Sequence, residues 1–233
     1  MAKVQTDINE KMRAILIDWL VDVHVKFKLV PETLYLTINL IDRFLEKVPV
    51  LRQKLQLVGV TAMLIACKYE EIYPPEVKDF VYVTDKAYTR EEILEMEGQI
   101  ISTLQFNMTT PSCYRFLERY SRLINMDQKS FNLCRYMLEL SLVEYKMLRY
   151  VPSLLACGTI YLTNKLQKKT CWNEVLEKYS HYEESSVKAC AKDLFVLLQN
   201  VDKVSLQAVK RKFSSAKLLE VAKMKFDGLA ADN

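Results

Sequence analysis

Apolar residues recur every three to four positions along most of the chain, which is the period of one face of an α-helix. Prolines and capping residues divide this pattern into two successive series of five helices. The first series is predicted at about residues 9–27, 31–46, 53–69, 76–82 and 89–105. The second is predicted at about residues 112–124, 128–148, 152–166, 172–179 and 184–199, with two shorter amphipathic stretches beyond residue 200. The pattern therefore predicts an all-α protein.

The third helix of each series contains small residues in its middle. Residues 56–68 align with residues 153–165, so that Gly59 corresponds to Ala156. Small side chains let neighbouring helices approach closely, and we therefore expect these two helices to be central. A linker near residues 107–110 separates the series. It predicts one domain at residues 1–107 and a second at residues 108–233.

The segment MRAILIDWLVDV, Met12 to Val23, is apolar on more than one side. At about 100° per residue it carries two apolar strips, and only one of them has to face the core of its own domain. One strip consists of Met12, Ile15, Leu16 and Trp19, and the other of Ala14, Ile17, Val21 and Val25. Arg13 lies between them and needs an acidic partner, for which Asp42 is a candidate. Periodicity leaves open whether both strips are core.

Composition is typical of an ordered, soluble helical protein. There are 4 glycines and 6 prolines among 233 residues, so loops are expected to be short. The longest apolar run, residues 57–67, is too short to cross a membrane. The polar start MAKVQTDINEK lacks the apolar stretch of a signal peptide, and we therefore expect the protein in the nucleus and cytoplasm.

The sequence contains no arrangement typical of a catalytic or metal site. Its 6 cysteines are scattered without a C-x-x-C pair, and 2 histidines do not complete a zinc-ligand pattern. There is no glycine-rich phosphate loop and no serine or cysteine with a partnered histidine in a known motif. We therefore expect no metal and no cofactor, and a role in recognition rather than catalysis.

Charge differs between the two predicted domains. Residues 1–107 contain 13 Lys and Arg against 16 Asp and Glu, a net charge of −3, whereas residues 108–233 contain 20 against 13, a net charge of +7. A basic surface can bind phosphate or nucleic acid. Lys210, Arg211 and Lys212 are the densest basic run, for which a solvated face is the simpler interpretation and a weak nuclear-import patch the other.

Five stretches of the first half resemble the cyclin box of the mitotic cyclins, B-type more closely than A-type. They are MRAIL with DWLV (12–21), ETLYL with IDRFL (32–45), KLQLVGVTAMLIACKYEEIYPPEV (54–77), DFVYVTD (79–85) and MEG (96–98). The second half is similar through FLERYSR (116–122), LVEY (142–145) and its helix pattern. The resemblance implies a tandem pair of five-helix cyclin-fold bundles plus short C-terminal helices. Such a protein activates a cyclin-dependent serine/threonine kinase at G2/M without being an enzyme itself.

The resemblance also implies a kinase-binding face on the third and fifth helices. Lys68 and Glu97 match a pair that contacts the kinase backbone near its mobile αC helix in the family. The surrounding positions of this face match Ile65, Tyr69, Glu71, Ile101, Phe106 and Met108. The alternative for Lys68 and Glu97 is an ordinary surface ion pair, worth ~0 to 1 kcal/mol.

A second implied site is a shallow docking groove for R-x-L motifs of substrates and inhibitors. It maps to Met12, Ile15, Leu16, Trp19, Leu55 and Gln56. Asp22 replaces the family's more usual glutamate at the position that attracts the basic residue of the motif. The first strip of the opening helix is therefore expected to stay open for partners, while Ala14, Ile17 and Val21 face the core.

B-type cyclins can also present a basic pocket for phosphorylated partners on the early helices of the second repeat. The matching positions are Glu118, Phe131 and Arg135, of which only Arg135 is basic. Arg119 and Arg122 are candidate substitutes, and a merely solvated basic face is the simpler interpretation.

Two alternatives to a kinase regulator remain open. One is a cyclin-fold protein of the general transcription type, which binds DNA and polymerase machinery through a basic face. Members of that type do not carry MRAIL-x-DW together with KYEE and the MEG glutamate. The other is a helical scaffold with neither activity. Under the favoured hypothesis the kinase and R-x-L proteins are partners, and neither a membrane nor direct nucleic-acid binding is expected.

Overall fold

A computed structural model of the chain describes residues 4–224. Residues 1–3 and 225–233, at the outer ends of the two predicted domains, lie outside the described residues. Over the described range the regular elements are α-helices and short 3₁₀-helices, with no β-strand. The prediction of an all-α chain is confirmed. None of the helices in residues 4–224 combines the length and the apolar character that a membrane span requires.

The chain divides into two units between Thr110 and Pro111. The first unit contains α1 (Glu10–Phe27), α2 (Pro31–Lys47), α3 (Leu55–Glu70), α4 (Val77–Val83) and α5 (Arg90–Thr103). The second contains α6 (Cys113–Leu123), α7 (Gln128–Val143), α8 (Pro152–Leu166), α9 (Glu174–Ser180), α10 (Glu184–Asn200) and α11 (Ala208–Phe213). Short 3₁₀-helices cover Arg52–Lys54, Tyr145–Arg149, Ala216–Leu218 and Val221–Lys223.

Helix starts follow the local signals in the sequence. Pro31 and Pro152 each occupy the first turn of a helix, where the missing N–H costs nothing. Thr89 and Glu92 form a capping box at the start of α5, in which each side chain accepts a hydrogen bond from the backbone N–H of the other residue. These signals fix the positions of α2, α5 and α8.

In the first unit α3 is the central helix, as predicted. Every residue from Leu57 to Cys67 is buried, and α3 packs against α1, α2 and α5. A Cβ atom on Gly59 would lie 2.7 Å from Cδ1 of Leu16. The glycine therefore allows α1 to approach α3 closely, which brings the first strip of α1 alongside the start of α3.

In the second unit the central helix is α8, which packs against α6, α7 and α10. The close approach here is at Gly158, where a Cβ atom would lie 2.8 Å from Sγ of Cys190 on α10. The glycine required by packing therefore lies two residues beyond Ala156, the position that aligns with Gly59.

The predicted helix at residues 128–148 is shorter in the structure. α7 ends at Val143, and Tyr145–Arg149 form a 3₁₀-helix. Glu144 adopts an extended backbone conformation, and its carboxylate accepts a hydrogen bond from the N–H of Lys146. The side chain thus starts a new helix where the apolar pattern continued the old one.

The interpretation of residues 210–212 as a solvated face is wrong for Lys212. Its ammonium group is buried and forms an ion pair with Glu139 on α7. The next residue, Phe213, is fully buried, and its ring centroid lies 5.4 Å from that of Tyr136. These contacts fasten α11 to α7 in the second unit.

Candidate functional site

Lys68 at the end of α3 and Glu97 on α5 meet at the surface of the first unit. Nζ of Lys68 donates to both carboxylate oxygens of Glu97, at 2.6 and 2.8 Å. Lys68 is about half exposed, whereas Glu97 is largely covered. An ammonium group has three N–H donors and a carboxylate several lone pairs, so both groups keep capacity for the backbone of a partner.

The apolar surroundings of this ion pair are only partly open. Tyr69 is half-exposed and Phe106 mostly exposed. Ile101 is partly covered and packs against the core, while Ile65 and Met108 are buried within it. The exposed apolar surface of the expected face therefore comes from the two aromatic rings, while the aliphatic side chains belong to the core or pack against it.

Phe106 is held outward by the way α5 ends. Gln105 and Phe106 both have left-handed backbone angles, with φ of 53° and 57°. The N–H of Phe106 donates to the carbonyl of Ile101 at 3.0 Å, which closes the last turn of the helix. Left-handed residues other than glycine are uncommon and cluster at functional sites. The hydroxyl of Tyr69 bonds that of Thr109, which fixes the second ring.

Glu71 lies just beyond α3, but its side chain turns towards α2. Oε1 accepts hydrogen bonds from the N–H of Val30 at 2.8 Å and from the hydroxyl of Thr33 at 2.6 Å. The resemblance to the cyclin box implied that Glu71 lies on the kinase-binding face together with Tyr69. In the structure, the Glu71 carboxylate is hydrogen-bonded to residues of the first unit instead.

Two exposed residues next to this face were not singled out in the sequence. Ile72 and Tyr73 follow Glu71 directly and are almost fully exposed. The signal that could have found them is their place before Pro74 and Pro75, where no helix can continue and no helical face can bury them.

A groove of about 520 Å³ runs between α1 and the start of α3. Its lining includes all six groove residues expected from the sequence, namely Met12, Ile15, Leu16, Trp19, Leu55 and Gln56. Arg52 and Gln53, which precede α3, line it as well and were not predicted. Leu16 and Leu55 are buried and form the floor, whereas half-exposed Ile15 forms part of the wall.

The two strips of α1 do not divide as the sequence suggested. Leu16 belongs to the core as well as to the groove, so the first strip is only partly open. In the other strip Ile17 and Val21 are fully buried, but Ala14 is partly exposed. Val25, the last residue of that strip, is half-exposed, and it was not among the residues expected to face the core.

Charged residues of α1 occupy two different environments. Arg13 is fully buried, and its Nε and Nη2 donate to the two carboxylate oxygens of Asp42 at 2.6 and 2.7 Å. This fork-shaped pair neutralises the guanidinium inside the unit. Asp22 is exposed and lies three residues beyond Trp19, past the apolar part of the groove.

The second unit does not assemble the basic pocket that its family positions suggested. The Arg135 guanidinium lies over the rings of Tyr114 and Phe213, at 5.5 and 5.7 Å. A separate surface pocket of about 420 Å³ is lined by residues that include Glu118, Arg122 and Phe131, but not Arg135. In this pocket Glu118 already pairs with Arg115 at 2.8 Å.

Potential metal ligands and thiols are dispersed through the described part of the chain, residues 4–224. No group of three or more His, Cys, Asp or Glu residues in this range could hold a metal ion. Burial raises the pKa of the Cys67, Cys134 and Cys190 thiols to about 12, so these groups stay protonated near neutral pH.

Models of two protein domains match the chain. Residues 1–109 match the cyclin N-terminal domain, and residues 111–227 match the cyclin C-terminal domain. The first model ends and the second begins next to the boundary between the two units of the structure, which lies between Thr110 and Pro111.

Curated relatives are similar over almost the whole chain. The G2/mitotic-specific cyclin-B of Dictyostelium discoideum is 47% identical over 222 residues, which are 94% of this chain and 51% of that protein. Cyclin-B2-1 of Arabidopsis thaliana is 50% identical over 220 residues, with the same shares of 94% and 51%. The chain spans about half the length of the curated relatives it matches.

Solved structures share the fold at low identity. A viral cyclin from herpesvirus saimiri has a TM-score of 0.73 at 21% identity, covering 82% of this chain and 87% of its own. A chain of the yeast RNA Pol II CTD kinase CTDK-1 complex has a TM-score of 0.72 at 13% identity, covering 100% and 82%. A chain of the CAK complex from Chaetomium thermophilum bound to ATP-gamma-S has a TM-score of 0.64 at 15% identity, covering 99% and 84%.

Proposed function

This chain belongs to the cyclin family, and we propose that it binds and activates a cyclin-dependent serine/threonine protein kinase in the nucleus and cytoplasm at the G2/M stage. The observation that carries the proposal is the ion pair of half-exposed Lys68 with Glu97, together with the exposed rings of Tyr69, which follows Lys68, and Phe106, which follows α5. The curated relatives with mitotic names and the two neighbours from kinase complexes support it.

The proposed face suits recognition of backbone as well as of apolar side chains. The Lys68 ammonium donates to carbonyl oxygens, such as those at a helix C-terminus or in a loop, and the Glu97 carboxylate accepts from N–H groups, such as those at a helix N-terminus. Tyr69 and Phe106 offer rigid apolar surface next to these charges. A mobile kinase helix that presents free backbone groups and apolar side chains fits this combination.

Activation then follows from a shift of population in the kinase. Phosphoryl transfer requires the strand lysine of the kinase to pair with a glutamate on its αC helix, and the activation loop to leave the substrate cleft. A partner that binds the active arrangement more tightly than the inactive one increases its population. The cyclin chain supplies no catalytic atom in this mechanism.

The exposed apolar side chains can supply the binding free energy that this population shift requires. Moving an equilibrium from about 1:99 to about 99:1 needs a difference in binding free energy of about 5.5 kcal/mol. Fully burying one large apolar side chain contributes about 1.5 to 3 kcal/mol. Tyr69, Phe106, Ile72 and Tyr73 together supply enough when the active arrangement of the kinase buries them and the inactive one leaves them exposed, within a kinase interface on the order of 2,000 Å².

The groove between α1 and α3 is proposed to dock R-x-L motifs of substrates and inhibitors. Its apolar floor of Leu16 and Leu55 suits the leucine of such a motif, and Asp22 beyond Trp19 suits its basic residue. Two or three buried side chains at about 1.5 to 3 kcal/mol each, less the cost of ordering a flexible segment, give about micromolar affinity. That strength suits a site that raises local substrate concentration.

The test is reconstitution with a monomeric mitotic cyclin-dependent kinase. The chain is mixed with the kinase, complex formation is followed by gel filtration, and phosphorylation of histone is measured. We expect a stable heterodimer and a strong increase in histone phosphorylation. A chain that neither co-elutes with the kinase nor stimulates it would contradict the proposed function.

A further inference from the structure

Glu71 is the centre of a hydrogen-bond network that joins three helices of the first unit. Its Oε1 accepts from the N–H of Val30 at 2.8 Å and from the hydroxyl of Thr33 at 2.6 Å. The carbonyl of Val30 lies 2.9 Å from Nε2 of His24, which is buried near the end of α1. The network therefore ties the end of α3 to the end of α1 and the start of α2.

The start of α2 needs such a carboxylate from outside the helix. Its N-cap residue is Val30, whose side chain has no oxygen to cap the free backbone N–H groups. Pro31 follows and has no N–H of its own. Glu71 supplies the missing acceptor, and its negative charge lies at the positive end of the helix dipole.

The anchored carboxylate also fixes the chain beside the proposed kinase-binding face. Glu71 is the first residue after α3, where the backbone changes to an extended conformation with φ −91° and ψ 140°. It comes two residues after Tyr69 and immediately before the exposed pair Ile72 and Tyr73. Its attachment to α2 therefore determines the direction in which this segment leaves the helix.

We propose that Glu71 is a positioning residue, which holds Tyr69, Ile72 and Tyr73 in place through its bonds to Val30 and Thr33. This inference rests on the proposed function for the identity of the partner. It assigns Glu71 an inward role instead of the direct kinase contact implied by its place in the motif. Thr33 has 0% of its surface exposed, so it does not contact the kinase directly.

Three substitutions separate positioning from direct contact. Glu71→Gln keeps an oxygen acceptor at the same place, so the kinase dissociation constant is expected to stay within about threefold of wild type. Glu71→Ala removes the acceptor and is expected to raise it about tenfold or more. Thr33→Val removes one of the two bonds at a buried position and is expected to raise it about threefold.

A matched control accounts for general loss of stability. Asn9→Ala removes the side-chain cap of α1 in the same unit, where Oδ1 accepts from the N–H of Met12. It is expected to lower the melting temperature as the Glu71→Ala substitution does, with kinase affinity within about twofold of wild type. If Glu71 is a positioning residue, Glu71→Ala therefore weakens kinase binding, whereas the equally destabilised Asn9→Ala variant does not.

Hydrogen exchange of the free chain tests the same network without the kinase. Amide exchange in residues 69–76 is expected to accelerate in the Glu71→Ala variant and to remain near wild type in Glu71→Gln. The inference is overturned if Thr33→Val leaves affinity and exchange unchanged, or if Glu71→Gln weakens kinase binding as much as Glu71→Ala does. A wild-type chain that binds no kinase overturns the proposed function, while the exchange experiment still decides the role of Glu71.

Discussion

Glu139 on α7 and Lys212 on α11 form an ion pair that is almost completely withdrawn from water. Nζ of Lys212 lies 2.6 and 2.7 Å from the two carboxylate oxygens, and the side chains are 0% and 9% exposed for Glu139 and Lys212. Burial lowers the pKa of the Lys212 ammonium, and the neighbouring Glu139 carboxylate opposes this shift. Each charge is therefore tolerated inside the unit only while the other is present.

Removal of Lys212 alone is expected to destabilise the second unit strongly. Lys212→Met leaves the Glu139 carboxylate buried and unpaired, at a cost of about 3 to 5 kcal/mol in the free energy of unfolding. The double variant Lys212→Met with Glu139→Leu is expected to recover most of this loss. Urea unfolding followed by tryptophan fluorescence, in a background where Trp19 is replaced by Phe so that the signal comes from Trp172, measures both variants. A single variant within about 1 kcal/mol of wild type would show that the pair is not needed.

The same substitution at two glycines is expected to have opposite effects. In Gly158→Ala the new Cβ meets the short side chain of Cys190 at 2.8 Å, so we expect a loss of about 1 to 3 kcal/mol. In Gly98→Ala no atom lies within 4 Å, and the higher helix propensity of alanine adds about 0.5 to 1 kcal/mol. Thermal unfolding of both variants checks the signs, and a stabilising Gly158→Ala would refute the close packing of α8 on α10.

Asp127 gives the cap of α7 a dependence on pH. Bonds from the Ser130 hydroxyl and N–H, with Lys169 nearby, lower the pKa of the Asp127 carboxyl to about 2. Because this value is below the ordinary 3.8, the stabilisation is complete above about pH 4 and is lost as the pH falls towards about 2. The group is half-exposed, so we expect a total near 1 kcal/mol.

Asp127→Asn isolates that contribution because asparagine keeps the cap but not the charge. Urea unfolding of both proteins is measured near pH 6 and near pH 3. The advantage of wild type over the variant is expected to be clearly smaller at the lower pH. A difference that does not change with pH would mean that the charge of Asp127 contributes nothing.

Ile15 and Val25 provide a matched test of the docking groove, since they lie on the same helix with 50% and 47% of their surfaces exposed. Only Ile15 lines the groove. Ile15→Gln is expected to weaken binding of a fluorescent R-x-L peptide about tenfold, through the loss of about 1.4 kcal/mol of apolar contact, and Val25→Gln to leave it unchanged. Fluorescence anisotropy measures the affinity, and equal effects of the two variants would contradict a groove at this place.

Most of the fold could be predicted from local signals in the sequence. Pro31 and the capping box of Thr89 with Glu92 mark helix starts, and the small residues of α3 indicate a central helix. The pairing of Arg13 with Asp42 follows from the need of a buried guanidinium for an acid on the neighbouring helix. These features depend on residues that are close in sequence or have few candidate partners.

The features that local signals missed depend on contacts made after the helices pack. Lys212 looks like one of three basic surface residues until α11 docks on Glu139, 73 residues earlier in the chain. Val25 continues the apolar strip of Ile17 and Val21, yet it is half-exposed while those two residues are fully buried. Glu71 shares a motif with exposed residues, and only the tertiary structure turns its carboxylate to α2.

The candidate site itself was located through resemblance rather than through periodicity. No pattern of spacing distinguishes Lys68 and Glu97 from other charged residues, such as the ion pair of Lys54 with Glu92 between the start of α3 and α5. The tertiary structure closes both ion pairs, at 2.6 Å for Lys68 with Glu97 and 2.7 Å for Lys54 with Glu92. The difference is that half-exposed Tyr69 follows Lys68, whereas the ring next to Lys54 is that of partly buried Tyr88.

That second pair is the control for the most direct test of the proposed function. The initial rate of histone phosphorylation by a monomeric mitotic cyclin-dependent kinase is measured against the concentration of wild-type chain, Lys68→Ala and Lys54→Ala. The two lysines are 47% and 46% exposed, and each forms one ion pair with a glutamate on α5. Wild type and Lys54→Ala are expected to stimulate the kinase at the same concentration, and Lys68→Ala to require about tenfold more. A Lys68→Ala curve that coincides with that of wild type, or no stimulation by wild type, would contradict activation through this face.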